Sequence, residues 1–119
     1  MSKSNAPKRG EIWDVTFDPT VGAEIRKLRP AVVISSDVVG RLPIKLVAPI
    51  TDWKTRYVAD VWHVRIDPDS INGLPKSSAV DLLQLRAMDF QRFVRRRGKL
   101  SEEKLEEIVL AMIEVIGAD

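Results

Sequence analysis

Glu24, Arg26, Lys27 and Arg29 stand within six residues of one another, in the stretch Glu24-Ile25-Arg26-Lys27-Leu28-Arg29-Pro30. The apolar, β-branched run Ala31-Val32-Val33-Ile34 follows at once and reads as a buried strand. One acid and three bases therefore crowd the entrance to a core strand, with Pro30 fixing the turn into it. A guanidinium placed there stays charged, and its planar fork can hold two oxygens of a phosphate. A carboxylate five residues away can serve as a base, or it can simply pair with the guanidinium. For a Glu and an Arg considered alone, the structural ion pair is the commoner arrangement.

Other chemistries are poorly supplied. The chain has no Cys and one His, His63, which excludes a Cys/His zinc site and a thiol- or His-centred triad. The six glycines stand alone, so no Gly-rich phosphate cradle is present. No pair of carboxylates has an obvious anchor. His63 falls on the strand face opposite Trp62 and Val64 and reads as solvent-facing.

The elements that must position the acid and the bases are short strands. Residues 11–17 alternate with period two, placing Trp13, Val15 and Phe17 on one face of a half-buried strand. Asp18 to Gly22 is turn chemistry, and the strand at 31–35 follows the basic stretch. Residues 44–50 make a third strand, where Pro49 marks an edge or an end. A fourth spans 60–67 with Trp62, Val64 and Ile66 inward, and a fifth spans 78–86. Asp89 can then cap a short helix to about Val94, and Ser101 a longer one with Glu102 and Glu103 at its positive end. Leu105, Ile108, Val109, Met112, Ile113 and Ile116 form its apolar stripe, and Gly117 ends it. Strands followed by helices give a mainly β, α+β architecture, a small curled antiparallel sheet with a helix packed on it. A chain of 119 residues is expected to form one domain, 1–119, with residues 1–9 flexible.

Net charge is +2, but residues 102–119 carry six acids and one base, leaving a local +7 on residues 1–101. A basic body with an acidic tail helix suits a polyanion partner, although ordinary solubilising charge gives the same count. Arg92, Arg95, Arg96, Arg97 and Lys99 form the densest basic run, which suits either a phosphate track or a solvated connector between two helices. The first ten residues contain no apolar signal region, and no apolar run approaches a membrane span. With no Cys, a cytoplasmic protein is expected.

Four blocks in order, "RGEIWDVTFDPTVGAEIRKLRPAVVISSD", "VAPIT", "HVRID" and "SSAVDLLQLRAMDFQRF", resemble the MazF/PemK family of toxin endoribonucleases. Gly22, Glu24, Arg29 and Pro30, with Pro49-Ile50-Thr51, are the specific parts of the resemblance. It implies an SH3-like β-barrel with a C-terminal helix, a homodimer, and metal-independent cleavage of single-stranded RNA without a cofactor. It also implies a cognate antitoxin whose acidic tail lies along the RNA groove. The family's catalytic Arg and Thr fall on Arg29 and Thr51, and its nearby Glu on Glu24. Arg26, Lys27, Lys54, Arg56, Gln84 and Arg86 are the accompanying candidates for RNA contact. Leu83 and Ala87 depart from the common acid and Thr at those positions, which bears on sequence preference.

An enzyme that cuts RNA without metal must help the 2′-hydroxyl lose its proton, stabilise the charged phosphorane and protonate the leaving 5′-oxygen. Arg29 suits the second task first, and Thr51 can donate to the same phosphate. Glu24 is either the general base or the group that orients Arg29. Two other classes compete: a non-catalytic SH3-like binding protein, and a topoisomerase poison of the same fold. The poison is known for a Trp near its C-terminus, whereas the Trp residues here are 13, 53 and 62.

Overall fold

The structure is a computed structural model that describes residues 5–118. Seven antiparallel strands run β1 (Glu11–Thr16), β2 (Leu28–Val33), β3 (Ile44–Asp52), β4 (His63–Ile66), β5 (Ser78–Asp81), β6 (Arg86–Asp89) and β7 (Phe93–Lys99). The helix α1 (Glu102–Val115) follows. The spatial order is β4-β5-β3-β2-β1-β7, with β6 also on β3. This is the mainly β, curled fold expected, with two more strands than the periodicity gives.

Both faces of the sheet are covered. Trp13, Val15 and Phe17 do share one face, with Ala31, Val33, Val47, Met88 and Phe93. The opposite face carries Ile12, Val32, Ala48, Ile50, Val64, Ile66 and Val80, closed over by Ile108 of the helix. β1 is therefore buried on both sides, not half-buried: even Asp14 is enclosed. Ser101 caps α1, its Oγ accepting from the Lys104 N–H at 3.2 Å. The buried line of the helix is narrower than its apolar stripe. Ile108 is its one fully buried residue, Ala111, Met112 and Val115 lean on the core, and Ile116 is exposed.

Four boundaries differ from expectation. β2 begins at Leu28, so Arg29 and Pro30 belong to the strand and pair with Val15 and Asp14 of β1. Pro49 lies inside β3, where that strand changes partner: Val47–Pro49 pair with β2, and Ile50–Asp52 pair with β5. The expected fifth strand is two, β5 and β6, separated by a 3-10 turn at Leu82–Gln84 that Asp81 caps. Asp89 caps only a 3-10 turn, Phe90–Arg92, its carboxylate accepting from the Gln91 N–H at 2.8 Å. The basic run that follows is β7, since long side chains alternating along an outer strand stay solvated as well as on a helix. The expectation of flexibility falls partly on residues 1–4, which lie outside the described residues. Of the others, Lys8 and Arg9 donate backbone N–H groups to Glu11 and Asp37.

Candidate active site

The change of partner along β3 sets where the candidate residues Arg29 and Thr51 fall. Val33, Val32 and Ala31 of β2 face Val47, Ala48 and Pro49 of β3. Carried two residues further, the same register sets Arg29 opposite Thr51. The ladder stops short of them, because β3 turns to β5 from Ile50 onward. Pro30 and Pro49 flank the point of divergence, and neither has an N–H to lend to a ladder. Arg29 and Thr51 thus lie just beyond the last β2–β3 pair, at one end of the sheet. Both are half-buried, and both lie on the strand face that carries Ala31 and Val33.

The loop before β2 presents the remaining groups. Lys27 adopts the left-handed conformation, φ 71°, a strained choice for a residue with a Cβ. Its carbonyl accepts from the Phe17 N–H at 2.9 Å, which closes the base of the loop. Arg29 Nε donates to the Arg26 carbonyl at 3.2 Å, and Arg26 Nη2 donates to the Gly22 carbonyl at 3.2 Å. Among the described residues no carboxylate comes within ion-pair distance of Arg26, Lys27 or Arg29. Glu24 does not reach Arg29: its Oε1 accepts from the Val21 N–H at 2.7 Å, and the Glu24 N–H returns to the Val21 carbonyl at 3.2 Å. The simple ion pair that the two residue types suggest is not formed.

Beside the loop lies an open cleft of about 380 Å³, lined by Phe17, Ala23, Glu24, Ile25 and Leu83–Arg86. It brings Glu24, Gln84 and Arg86 together, while Arg29 and Thr51 lie outside its lining. Gln84 Oε1 accepts from the Ile25 N–H at 2.7 Å. Arg86 Nη1 donates to the Phe17 carbonyl at 2.8 Å, and Arg92 Nη1 donates to those of Thr16 and Asp18. Arg86 and Arg92 therefore brace the backbone where the chain leaves β1. Lys54 and Arg56 are exposed on the segment after Thr51, where Arg56 lies 5.4 Å from the Tyr57 ring centre.

His63 is not solvent-facing. Its side chain is only 9% exposed, Nδ1 donates to Asp60 at 2.9 Å, and Nε2 lies 3.6 Å from Asp81. Tyr57 stacks on the ring at 3.8 Å. The strand register accounts for this: His63 of β4 faces Asp81 of β5. Alternation correctly places His63 opposite the core, but the 3-10 segment Thr55–Ala59 covers that outer face. No cluster of His, Cys, Asp and Glu among the described residues could hold a metal ion.

The sequence pattern of a family described as PemK-like, MazF-like toxin of type II toxin–antitoxin system matches residues 8–116. The chain is 31% identical over 102 residues to Endoribonuclease EndoA of Bacillus subtilis, covering 85% of this chain and 86% of that protein. It is 31% identical over 119 residues to Endoribonuclease toxin ChpB of Escherichia coli, covering 98% and 99%. Among solved structures, MazF of Deinococcus radiodurans superposes with a TM-score of 0.75 at 23% identity, over 94% of this chain and 97% of that one. A mycobacterial endoribonuclease in complex with its cognate antitoxin gives 0.75 at 13% identity, over 96% and 98%. The two superpositions establish a shared fold.

Proposed function

Since the chain belongs to the PemK-like, MazF-like toxins of type II toxin–antitoxin systems, we propose that it cuts single-stranded RNA at specific sequences by attack of the 2′-hydroxyl. Its cognate antitoxin holds it inactive. One observation supports this reading: Arg29 has no carboxylate within ion-pair distance among the described residues and lies just past the last β2–β3 pair, toward the end of β3 that bears Thr51. A phosphodiester seated there meets a forked cation from one strand and a hydroxyl from the other. As negative charge builds on the phosphorane, both become better partners than they were for the ground state.

Glu24 is the base in this scheme. Its Oε1 is engaged by Val21, and Oε2, which has no hydrogen-bond partner among the described residues, is left to take the 2′-proton, while solvent water supplies the proton that the leaving 5′-oxygen takes up. Orientation of Arg29 falls instead to the Arg26 carbonyl. Arg26, Lys27, Lys54 and Arg56 supply the positive surface that carries the strand in. Arg86 is committed to the Phe17 carbonyl and acts on the RNA only by shaping the cleft.

The protein works as a homodimer in the cytoplasm. Val38, Val39 and Leu42, between 64 and 92% exposed, adjoin Ile44 and Leu46 at the start of β3, an apolar area suited to a second copy. The antitoxin offers an extended acidic segment to the basic surface, so added salt weakens inhibition. Purified protein incubated with single-stranded RNA in excess chelator tests the reading. The expected products are a 2′,3′-cyclic phosphate and a free 5′-hydroxyl. A substrate with one deoxyribose just 5′ of the scissile phosphate should bind and resist cutting. Cleavage of that substrate at an undiminished rate would exclude attack by the 2′-hydroxyl.

A further inference from the structure

The loop that carries Glu24 and Arg26 is braced at its base by Arg86 and Arg92, through the carbonyls of Thr16, Phe17 and Asp18. Its middle is held differently. Val21, Gly22 and Glu24 bond only within the loop, and Arg26 bonds only to Gly22 and to the adjoining Arg29. Apart from Arg29 Nε, which donates to the Arg26 carbonyl from the adjoining start of β2, the one hydrogen bond from residues 20–26 to the rest of the barrel among the described residues is Ile25 N–H to Gln84 Oε1, 2.7 Å across 59 residues of chain.

Gln84 is itself held from behind. Its Nε2 lies 3.5 Å from Asp81 Oδ2, the same oxygen that His63 Nε2 approaches at 3.6 Å. Asp81 Oδ1 caps the turn on which Gln84 sits by accepting from the Leu83 N–H at 3.1 Å. On its other side His63 donates to Asp60 and stacks on Tyr57, both from the segment that follows Thr51. A chain of contacts therefore runs from the Thr51 side of the site to the Glu24 side: Tyr57 and Asp60, His63, Asp81, Gln84, Ile25.

We propose that Gln84 and His63 are positioning residues, which fix the loop bearing Glu24 and leading to Arg29 against the strand end bearing Thr51. The inference rests on the RNA-cleavage reading above. Gln84 then contributes through the Ile25 backbone and not by touching RNA, and His63 contributes through Asp81. A misplacement of about 1 Å between reacting groups can cost two orders of magnitude in rate, so a loop with one mid-point tether depends on it.

Two measurements test this. In single-turnover cleavage, Gln84→Ala should lower the rate of the chemical step about 10-fold or more, with RNA affinity changed by no more than about 2-fold. In hydrogen exchange, the same variant should release the Ile25 amide at least about 10-fold faster while Val32 in β2 stays protected. At His63, Gln mimics Nε2 toward Asp81 and Asn mimics Nδ1 toward Asp60, and both lose the stack on Tyr57. His63→Gln should therefore retain more of the rate than His63→Asn. The double variant Gln84→Ala/His63→Asn should fall no further than the worse single change. Loss of affinity alone in Gln84→Ala would make Gln84 an RNA contact and overturn the proposal. Additive losses would remove His63 from the chain. If the wild-type protein cuts no RNA the functional reading fails, whereas unchanged exchange at Ile25 overturns the positioning claim by itself.

Discussion

Two stretches of this chain read alike and are used in opposite ways: Arg95-Arg96-Arg97 on β7, and Arg26-Lys27-Leu28-Arg29 entering β2. On β7 every guanidinium has a carboxylate. Arg95 and Arg97 lie 3.3 and 2.6 Å from Asp14, and Arg96 lies 2.7 Å from Glu11. At the entrance to β2, Arg26 and Arg29 reach only backbone carbonyls of the loop before it. A carbonyl holds a guanidinium in place without cancelling its charge. Asp14 makes the contrast sharp, because it pairs with Pro30 on one side and Arg95 on the other. Its carboxylate goes to β7, while Arg29 pairs with Val15 on the other face of the sheet and has no counter-ion among the described residues. If the proposed site is right, density of basic residues is a poor guide to a polyanion site here, and the absence of a counter-charge is a better one.

The comparison breaks most visibly at Arg29. Arg29→Ala should lower cleavage by about 10²–10³, the scale of losing one preorganised charge stabiliser. The folded state should hardly notice, since the side chain makes one bond to an exposed carbonyl. Arg29→Lys should recover little, because an ammonium has no fork. Rates on single-stranded RNA, paired with thermal melts of the same samples, check both halves. A folded, fully active Arg29→Ala protein would take Arg29 out of the site.

That pairing of strands was only partly legible in the residues. The β-branched runs and period-two alternation reveal β1, β3 and β4 because at least one face of each meets a dense apolar layer. Arg29 and Thr51 were reachable through the resemblance. That both serve one phosphate is likewise what the resemblance implies, but β3 exchanging β2 for β5 after Pro49 was not legible, because a register between distant strands leaves no local mark. His63 was misjudged for a related reason. Alternation gives the face of a strand, not what covers it, and the covering segment Thr55–Ala59 has no apolar periodicity. The role of Gln84 was equally hidden, since its partner is a backbone N–H 59 residues away. The split between β5 and β6 escaped detection because Leu82, Leu83 and Leu85 continue an apolar run through the 3-10 turn.

On the β7 side the expectation inverts. Asp14 is only 7% exposed, and Arg97 both pairs with it and donates Nη1 to the Gly73 carbonyl at 3.2 Å. Arg97→Ala leaves a buried carboxylate with Arg95 alone and loosens the loop around Gly73. The cost should be about 1–3 kcal/mol of stability, the range for a buried polar group losing its partner. In a domain of this size that is a fall in Tm of roughly 4 °C or more. The cleavage rate at 25 °C should stay within about 2-fold, since β7 lies away from the proposed site and its charges are already neutralised. A large loss of activity with an unchanged Tm would mean that β7 carries RNA after all, and the contrast between the two stretches would be lost.

The smallest effect belongs to Lys27, where charge and backbone strain can be separated. Its φ of 71° costs a residue with a Cβ about 1 kcal/mol, which glycine would not incur. Glycine also loosens the unfolded chain, so Lys27→Gly should shift stability by well under about 1 kcal/mol in either direction. Asn tolerates the left-handed region better than Lys and keeps the unfolded chain stiffer than Gly, so Lys27→Asn should be the more stable variant. Both remove the same positive charge from the approach to Arg29. If Lys27 meets a phosphate, each should weaken RNA binding alike and reduce the slope of log K against log salt by about 0.7, the single-strand value for one contact. The rate of the chemical step should hardly change, because Arg29 keeps its bond to the Arg26 carbonyl in either variant. Titrations of a non-cleavable RNA at several salt concentrations read this directly. An unchanged slope in both variants would show that the strained residue serves only the turn, closing the loop through its carbonyl to Phe17.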